Sequence, residues 1–193
     1  MASPRLSSHA QTKPNQVVVN SSSRAIFLDR DGVINEAIVK DRKPFPPGSK
    51  SEVKVLSGVM EALDIFRKKN YLCVVISNQP DVSRGTISKN VVNEINQTLR
   101  EQLGLQYFYV CCHDDADQCE CRKPKPGLLR MASEELGIDL RKSYMVGDRW
   151  RDIEAGQKAK CHCIFLDYNY DERRPDPPYQ TFSCLMNFAL SLE

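Results

Sequence analysis

No run in this 193-residue sequence approaches the roughly 20 consecutive apolar residues that a membrane span requires. The first 16 residues lack the apolar core of a secretory signal, so neither secretion nor membrane insertion is expected and the reading is a cytoplasmic protein. Nor is there an excess of charge, the formal net value being +2. Residues 1–28 contain no acid and carry Arg5, Lys13 and Arg24, which leaves −1 for the rest of the chain. A body so close to neutrality lacks the basic face that nucleic-acid binding needs, and nucleic acid is not an expected partner. The acid-free, Ser-rich leader reads as a disordered polar tail over residues 1–22, with an organelle transit peptide as the alternative. Internal repeats are absent, and no exposed apolar stripe suggests self-association, so a monomer is expected.

Cysteine, by contrast, is plentiful, with eight in the chain. Disulfide frameworks belong to small secreted proteins, which this sequence does not resemble. Cys111, Cys112, Cys119 and Cys121 crowd into one stretch around His113, a density that points to metal. Residues two apart in extended chain point the same way, so Cys111/His113 and Cys119/Cys121 make two pincers on one tetrahedral zinc ion. Cys111 is preferred over Cys112, since adjacent Cys112 and His113 would face opposite sides. Four filled positions leave no open site, so this zinc would be structural and would fix the loop that runs into Arg122 and Lys123. Cys161-His162-Cys163 has similar spacing but opens an apolar strand, and reads as small core residues.

From Arg24 onward short apolar runs alternate with helical patterns. Ala25–Leu28, Tyr71–Ile76, Tyr107–Val110, Ser143–Val146 and Cys163–Leu166 read as buried strands. Between them lie helical faces built on Val59, Leu63 and Phe66, with Ser57 as N-cap, and on Val91, Ile95, Leu99 and Leu103, with Ser88 as N-cap and Gly104 as terminator. Further helices carry Leu128, Leu129, Ala132 and Leu136, ended by Gly137, and Ile153, Gly156 and Ala159. Such alternation predicts an α/β protein: a Rossmann-like three-layer α/β/α arrangement of a parallel sheet with helices on both faces, one domain over residues 23–193. The Pro/Lys-rich stretch between Ile34 and Ser57 reads as an irregular loop, too short for a large cap domain.

In parallel sheets ligands bind beyond the C-terminal strand ends. There stand Asp29-Arg30-Asp31-Gly32, Ser77-Asn78-Gln79, Arg122-Lys123-Pro124 and Gly147-Asp148. Crowded carboxylates repel unless a cation sits among them, and hard oxygen ligands suit magnesium. Adding a lysine and a hydroxyl describes a site for a phosphoryl group and a small phosphorylated metabolite.

These four strings, in this order from about Arg24 to Leu166, resemble the motifs of the haloacid-dehalogenase (HAD) superfamily of phosphatases. With the Cys/His loop and the Arg-Lys-Pro-x-Pro-Gly string at 122–127, the chain resembles its zinc-loop branch, which includes heptose bisphosphate and histidinol-phosphate phosphatases. The resemblance implies the HAD fold, Asp29 as the nucleophile that becomes an aspartyl-phosphate, and Asp31 as the acid and base. It implies Ser77 and Lys123 as holders of the phosphoryl oxygens. Magnesium would be bound by Asp29, the backbone carbonyl of Asp31, and Asp148. Asn78, Gln79, Arg84, Arg122 and Arg149 would contact substrate, with Lys40, Arg42 and Lys43 as further phosphate contacts. Asp152 is open between a metal-site position and a supporting or helix-capping one.

The string Asn78 to Gly85 resembles the heptose branch, which implies removal of the 7-phosphate of D-glycero-D-manno-heptose 1,7-bisphosphate, with histidinol phosphate or another sugar phosphate as the alternative. Val33 stands where that family usually has threonine. Pro80-Asp81 stands where Ser-Gly is usual, which removes a residue at ease with positive φ.

Overall fold

The computed structural model describes residues 23–192, so the tail assigned to residues 1–22 lies outside the described residues. In chain order the elements are β1 (Arg24–Leu28), β2 (Ile38–Lys40), β3 (Lys43–Phe45), α1 (Val59–Lys68), β4 (Tyr71–Asn78), α2 (Lys89–Leu103), β5 (Tyr107–Cys111), α3 (Gly127–Leu136), β6 (Tyr144–Gly147), α4 (Trp150–Ala159), β7 (His162–Leu166), β8 (Gln180–Phe182) and α5 (Leu185–Ser191). Six strands form one parallel sheet in the order β5-β4-β1-β6-β7-β8. The chain first builds outward from β1 through β4 to β5, then returns to β6 on the other side of β1. The crevice where the order reverses therefore opens at the C-terminal ends of β1, β4 and β6.

Strand alternation divides the core into its two layers. Ile26, Leu28, Val75, Val146, Ile164 and Leu166 pack with α1, α2 and α5 through Leu63, Phe66, Leu99 and Phe188. Their neighbours Ala25, Phe27, Val74, Ile76 and Met145 face the other way, onto Leu128, Leu129 and Ala132 of α3 and Ala155 and Ala159 of α4. Both faces are buried, which is why these strands read as continuous apolar runs. Each large side chain so buried contributes about 1.5–3 kcal/mol.

Local signals explain the helix ends with one correction. Ser88 Oγ accepts the Val91 amide at 3.3 Å, and Gly104 and Gly137 close α2 and α3 in the left-handed conformation. Ser57, expected to cap α1, lies outside it; the N-cap is Gly58, at φ 77°, with no side-chain cap. The Ile34–Ser57 stretch is also more ordered than expected, because β2 and β3 form an antiparallel hairpin. Its two-residue tip, Asp41-Arg42, has positive φ at both positions, the geometry a tight hairpin turn demands. Bonds to the 167–174 loop hold it there: Arg42 Nη2 donates to Asn169 O at 3.2 Å, and Asp171 N to Arg42 O at 2.9 Å. The strand β8 and helix α5 were not foreseen.

Candidate active site and metal centre

Because Asp29 ends β1 and residues alternate in direction, Asp29 and Asp31 both face the crevice. Lys123 arrives from the loop after β5, and its buried ammonium donates to Asp29 Oδ1 at 2.7 Å and Ile76 O at 2.8 Å. It also pairs with Asp152 Oδ1 at 2.6 Å. Burial alone would depress the lysine pKa, but Asp152 and Asp29 outweigh it and raise the value, so the ammonium stays charged. Asp152 has two tasks: its other oxygen caps α4 by accepting the Arg149 amide at 3.0 Å. Of the two readings left open by the sequence, a metal-site position and a supporting or helix-capping one, these contacts are the second.

Asp29, Asp148 and Asp152 form the acidic cluster, with carboxylate oxygens within 4.8 Å of one another. Burial, then the neighbouring Asp29 and Asp152, raise the Asp148 pKa well above the carboxylate range. Asp29 is raised to about 6, again mainly by burial, with Lys123 pulling it down and Asp152 pushing it up. Both Asp148 oxygens are buried without a well-formed hydrogen bond, although the Tyr170 hydroxyl is close by. A Cβ on Gly32 would come within 1.9 Å of Asp148 Oδ2, and φ there is +90°, so this approach is open only to glycine. Buried carboxylate oxygens lacking donors, set beside two further acids, are the donor set that a hard divalent cation satisfies. The Asp31 side chain stands apart from this cluster.

An acid whose folded pKa lies above its unfolded value binds protons on folding, so its stabilisation is complete below about pH 4 and is lost as pH rises through the folded value. For Asp29 that window runs from the ordinary 3.8 to about 6. Magnesium competes with those protons. Its stabilisation, read as the rise in Tm over metal-free protein, is expected to be clearly larger at pH 7.5 than at pH 5.5. An equal rise at both would contradict this ligand set.

Around this floor lies a cavity of about 290 Å³. Asn78, Pro80, Asp81 and Arg84 line it from the loop after β4, and Asp115 and Arg122 from the cysteine loop. Arg149, Arg151 and Glu172 line it from the far side, and Lys43 to Pro46 from the hairpin. The expected substrate arginines are there, but each already grips a carboxylate. Arg84 makes a two-pronged contact with Asp114 at 2.7 and 2.8 Å, Arg122 Nε donates to Asp115 at 2.8 Å, and Arg149 pairs with Glu172. Asn78 lines the cavity while bracing the loop, exchanging two hydrogen bonds with the Lys123 backbone at 3.0 and 3.1 Å. Gln79 is buried and turned to Asp31 and Ser77, both at 2.8 Å. Of the three hairpin cations only Lys43 lines the cavity, since Arg42 is tied to Asn169. Pro80-Asp81 needs no positive φ; among the described residues of that loop only Gly85 has it. Arg151, Asp114, Asp115 and Glu172 were missed, and only the acidic run between the two cysteine pincers could have drawn attention to the first two acids.

The second cluster joins Cys111, His113, Cys119 and Cys121. Their ligand atoms are separated by 3.2–3.7 Å for the contacting pairs, close to the edge of about 3.7 Å of a tetrahedron with zinc–sulfur bonds of about 2.3 Å. Burial opposes ionisation of Cys119, yet the Arg122 backbone N–H, then the neighbouring Cys121 and Cys111 thiols, bring its pKa down to about 7. Cys112 is outside the cluster. A Cβ on Gly127 would lie 2.2 Å from Glu120 O, so α3 begins in direct contact with this loop. Cys161 and Cys163 belong to no such group among the described residues; burial raises both thiols to about 12.

A family model described as haloacid dehalogenase-like hydrolase matches residues 47–160, a span that takes in Ser77, Lys123, Asp148 and Asp152 and begins after Asp29. The D-glycero-beta-D-manno-heptose-1,7-bisphosphate 7-phosphatase of Helicobacter pylori (strain 26695) is 33% identical over 148 residues, which cover 72% of this chain and 81% of the relative. Its namesake from Haemophilus influenzae is 36% identical over 151 residues, covering 72% and 78%. The crystal structure of D,D-heptose 1,7-bisphosphate phosphatase from B. bronchiseptica, complexed with magnesium and phosphate, superposes with a TM-score of 0.73 at 25% identity, covering 86% of this chain and 96% of that one.

Proposed function

Since the chain belongs to the haloacid dehalogenase-like hydrolases, we propose that it is a magnesium-dependent phosphatase removing the 7-phosphate of D-glycero-D-manno-heptose 1,7-bisphosphate through a phosphorylated Asp29. The observation that carries the reading is the convergence of Asp29, Lys123 and the Asp148/Asp152 pair at the bottom of an open cavity, from three distant points in the chain. Relatives that act on this substrate by name support its choice.

Asp29 attacks phosphorus with one carboxylate oxygen. As the new P–O bond forms, the ester P–O bond breaks, its electron pair goes to the leaving oxygen, and that oxygen takes a proton from Asp31. Water then attacks that phosphorus and gives a proton to Asp31, while the bond between phosphorus and the Asp29 oxygen breaks, its electron pair returns to the carboxylate, and inorganic phosphate leaves. Lys123, fixed by three acceptors, and Ser77 hold the phosphoryl oxygens in line. Magnesium, held by Asp29, Asp148 and the backbone carbonyl of Asp31, would offset the repulsion between carboxylate and phosphate. Zinc on Cys111, His113, Cys119 and Cys121 would hold the loop that delivers Arg122 and Lys123. The guanidiniums of Arg84, Arg122, Arg149 and Arg151, with Lys43, surround the mouth. Their five positive charges exceed those of the acids Asp81, Asp114, Asp115 and Glu172 that pair with or stand beside them, a balance that suits a substrate with a second anionic group better than histidinol phosphate, which carries an ammonium.

The test measures phosphate release from heptose 1,7-bisphosphate and from histidinol phosphate side by side, with Asp29→Asn as the blank. The expected result is a preference of about 100-fold or more in kcat/KM for the heptose. The reverse preference would move the protein to the histidinol branch.

A further inference from the structure

Asp29 and Asp31 both reach the cavity, so Arg30 between them must turn inward, and its side chain is fully buried. A buried guanidinium is unusual and needs partners. Arg30 grips Asp31 with a fork, Nε to Oδ1 at 3.1 Å and Nη2 to Oδ2 at 2.9 Å. Its third nitrogen, Nη1, donates to Asn96 Oδ1 at 3.0 Å. Asn96 is itself a buried polar residue on the core-facing side of α2, where periodicity alone would place an apolar one. Asn35 Nδ2 and Gln79 Nε2 bring two more donors to Asp31, at 2.9 and 2.8 Å. The Asp31 carboxyl is thereby held by four donors from three residues, with its remaining exposure toward the cavity.

We propose that Arg30 is a positioning residue that aims the Asp31 carboxyl at the leaving-group oxygen, braced by Asn96 from α2. The inference rests on the phosphatase reading above and deepens it. A two-pronged guanidinium contact fixes the plane of a carboxylate as well as its place. The orientation tells the two kinds of substrate apart at the first of the two steps Asp31 serves. As the ester P–O bond breaks and its electron pair passes to oxygen, a sugar alkoxide requires the Asp31 proton, whereas p-nitrophenolate departs without it. A buried arginine that only supported the fold would affect both substrates alike.

The experiment compares Arg30→Met and Arg30→Lys with wild type, each loaded with magnesium and zinc, on heptose 1,7-bisphosphate and on p-nitrophenyl phosphate. kcat/KM is the quantity to read, because it reports steps up to leaving-group departure. Arg30→Met is expected to lose about 100-fold on the sugar phosphate, the size of a general-acid contribution, and less than about 5-fold on the aryl phosphate. Arg30→Lys keeps the charge without the fork and is expected to recover less than about 10-fold of the first loss, since the plane of the carboxyl is then no longer fixed. Asn96→Ser removes only the brace and is expected to show the same selectivity at smaller size; it serves if Arg30→Met does not fold. Equal losses on both substrates, or none on either, would overturn the proposal while leaving the phosphatase reading intact. Wild-type protein that cleaves neither substrate would overturn both.

Discussion

Lys123→Met is expected to lower kcat/KM by about 10³-fold or more, the scale of removing one fixed electrostatic contact from a reacting anion. The ammonium touches Asp29, Asp152 and the Ile76 carbonyl in a fully buried setting, so nothing else can take its place. Methionine fills a similar volume and removes the charge, which leaves Asp29, Asp148 and Asp152 facing one another without their internal cation. Breaking a buried ion pair by removing one partner costs about 3–5 kcal/mol, and here the cost depends on pH. Asp29 already titrates at about 6 with Lys123 beside it, and the lysine is a lowering influence. Without it the folded pKa moves further up, so stability is lost as pH rises through a higher window. The variant should therefore be closest to wild type near pH 5 and fall furthest behind near pH 7.5 when metal-free. Magnesium should restore much of the Tm and little of the turnover. A variant equally destabilised at both pH values would show that Lys123 acts by packing rather than charge.

Removing the zinc-site sulfur of Cys111 by Cys111→Ser is expected to weaken zinc binding by well over about 100-fold, since changing even the partners of a metal ligand costs about 10–100-fold. Loss of the ion frees the loop between β5 and α3, the segment that carries Asp114, Asp115, Arg122 and Lys123. Asp114 and Asp115 hold Arg84, Arg122 and Arg151 along the cavity wall, so substrate affinity and turnover should both suffer, by about 100-fold in kcat/KM. The sheet has its own core and should survive, with unchanged far-ultraviolet circular dichroism and lost amide protection confined to residues 111–127. Cys112→Ser provides the contrast, because Cys112 lies outside the cluster, and should keep one zinc per chain and nearly full activity. Zinc content by elemental analysis, read beside activity, decides between the two thiols.

What was legible in the sequence is what leaves a periodic trace. The runs at Ala25–Leu28 and Tyr71–Ile76 are apolar throughout because both sheet faces are covered, and the polar residues that end them mark the crevice. The hairpin was not legible because its tip uses Asp41-Arg42 rather than the usual glycine, and Pro44 interrupts the strand pattern. Three-residue β8 is half-exposed and gives no alternation to read. In the site, Asp29, Asp31, Ser77 and Asp148 announce themselves by position at strand ends, whereas Lys123, expected at one, comes from the cysteine loop twelve residues past the end of β5 and was legible through its motif string. Glu172 and Arg151 do not, because their contacts with Arg149 and Asp115 join segments 23 and 36 residues apart. Arg30 was visible only as part of a motif string; its burial and its fork onto Asp31 are facts of packing.

The phosphoryl group that Asp29 is proposed to take is the one on carbon 7 of heptose 1,7-bisphosphate. Phosphorus NMR of the reaction with magnesium, followed beside Asp29→Asn, tests this most directly. The predicted result is loss of the 7-phosphate resonance, growth of inorganic phosphate and an intact 1-phosphate, with no change in the Asp29→Asn sample. Loss of the 1-phosphate first, or release that persists in Asp29→Asn, would contradict the account.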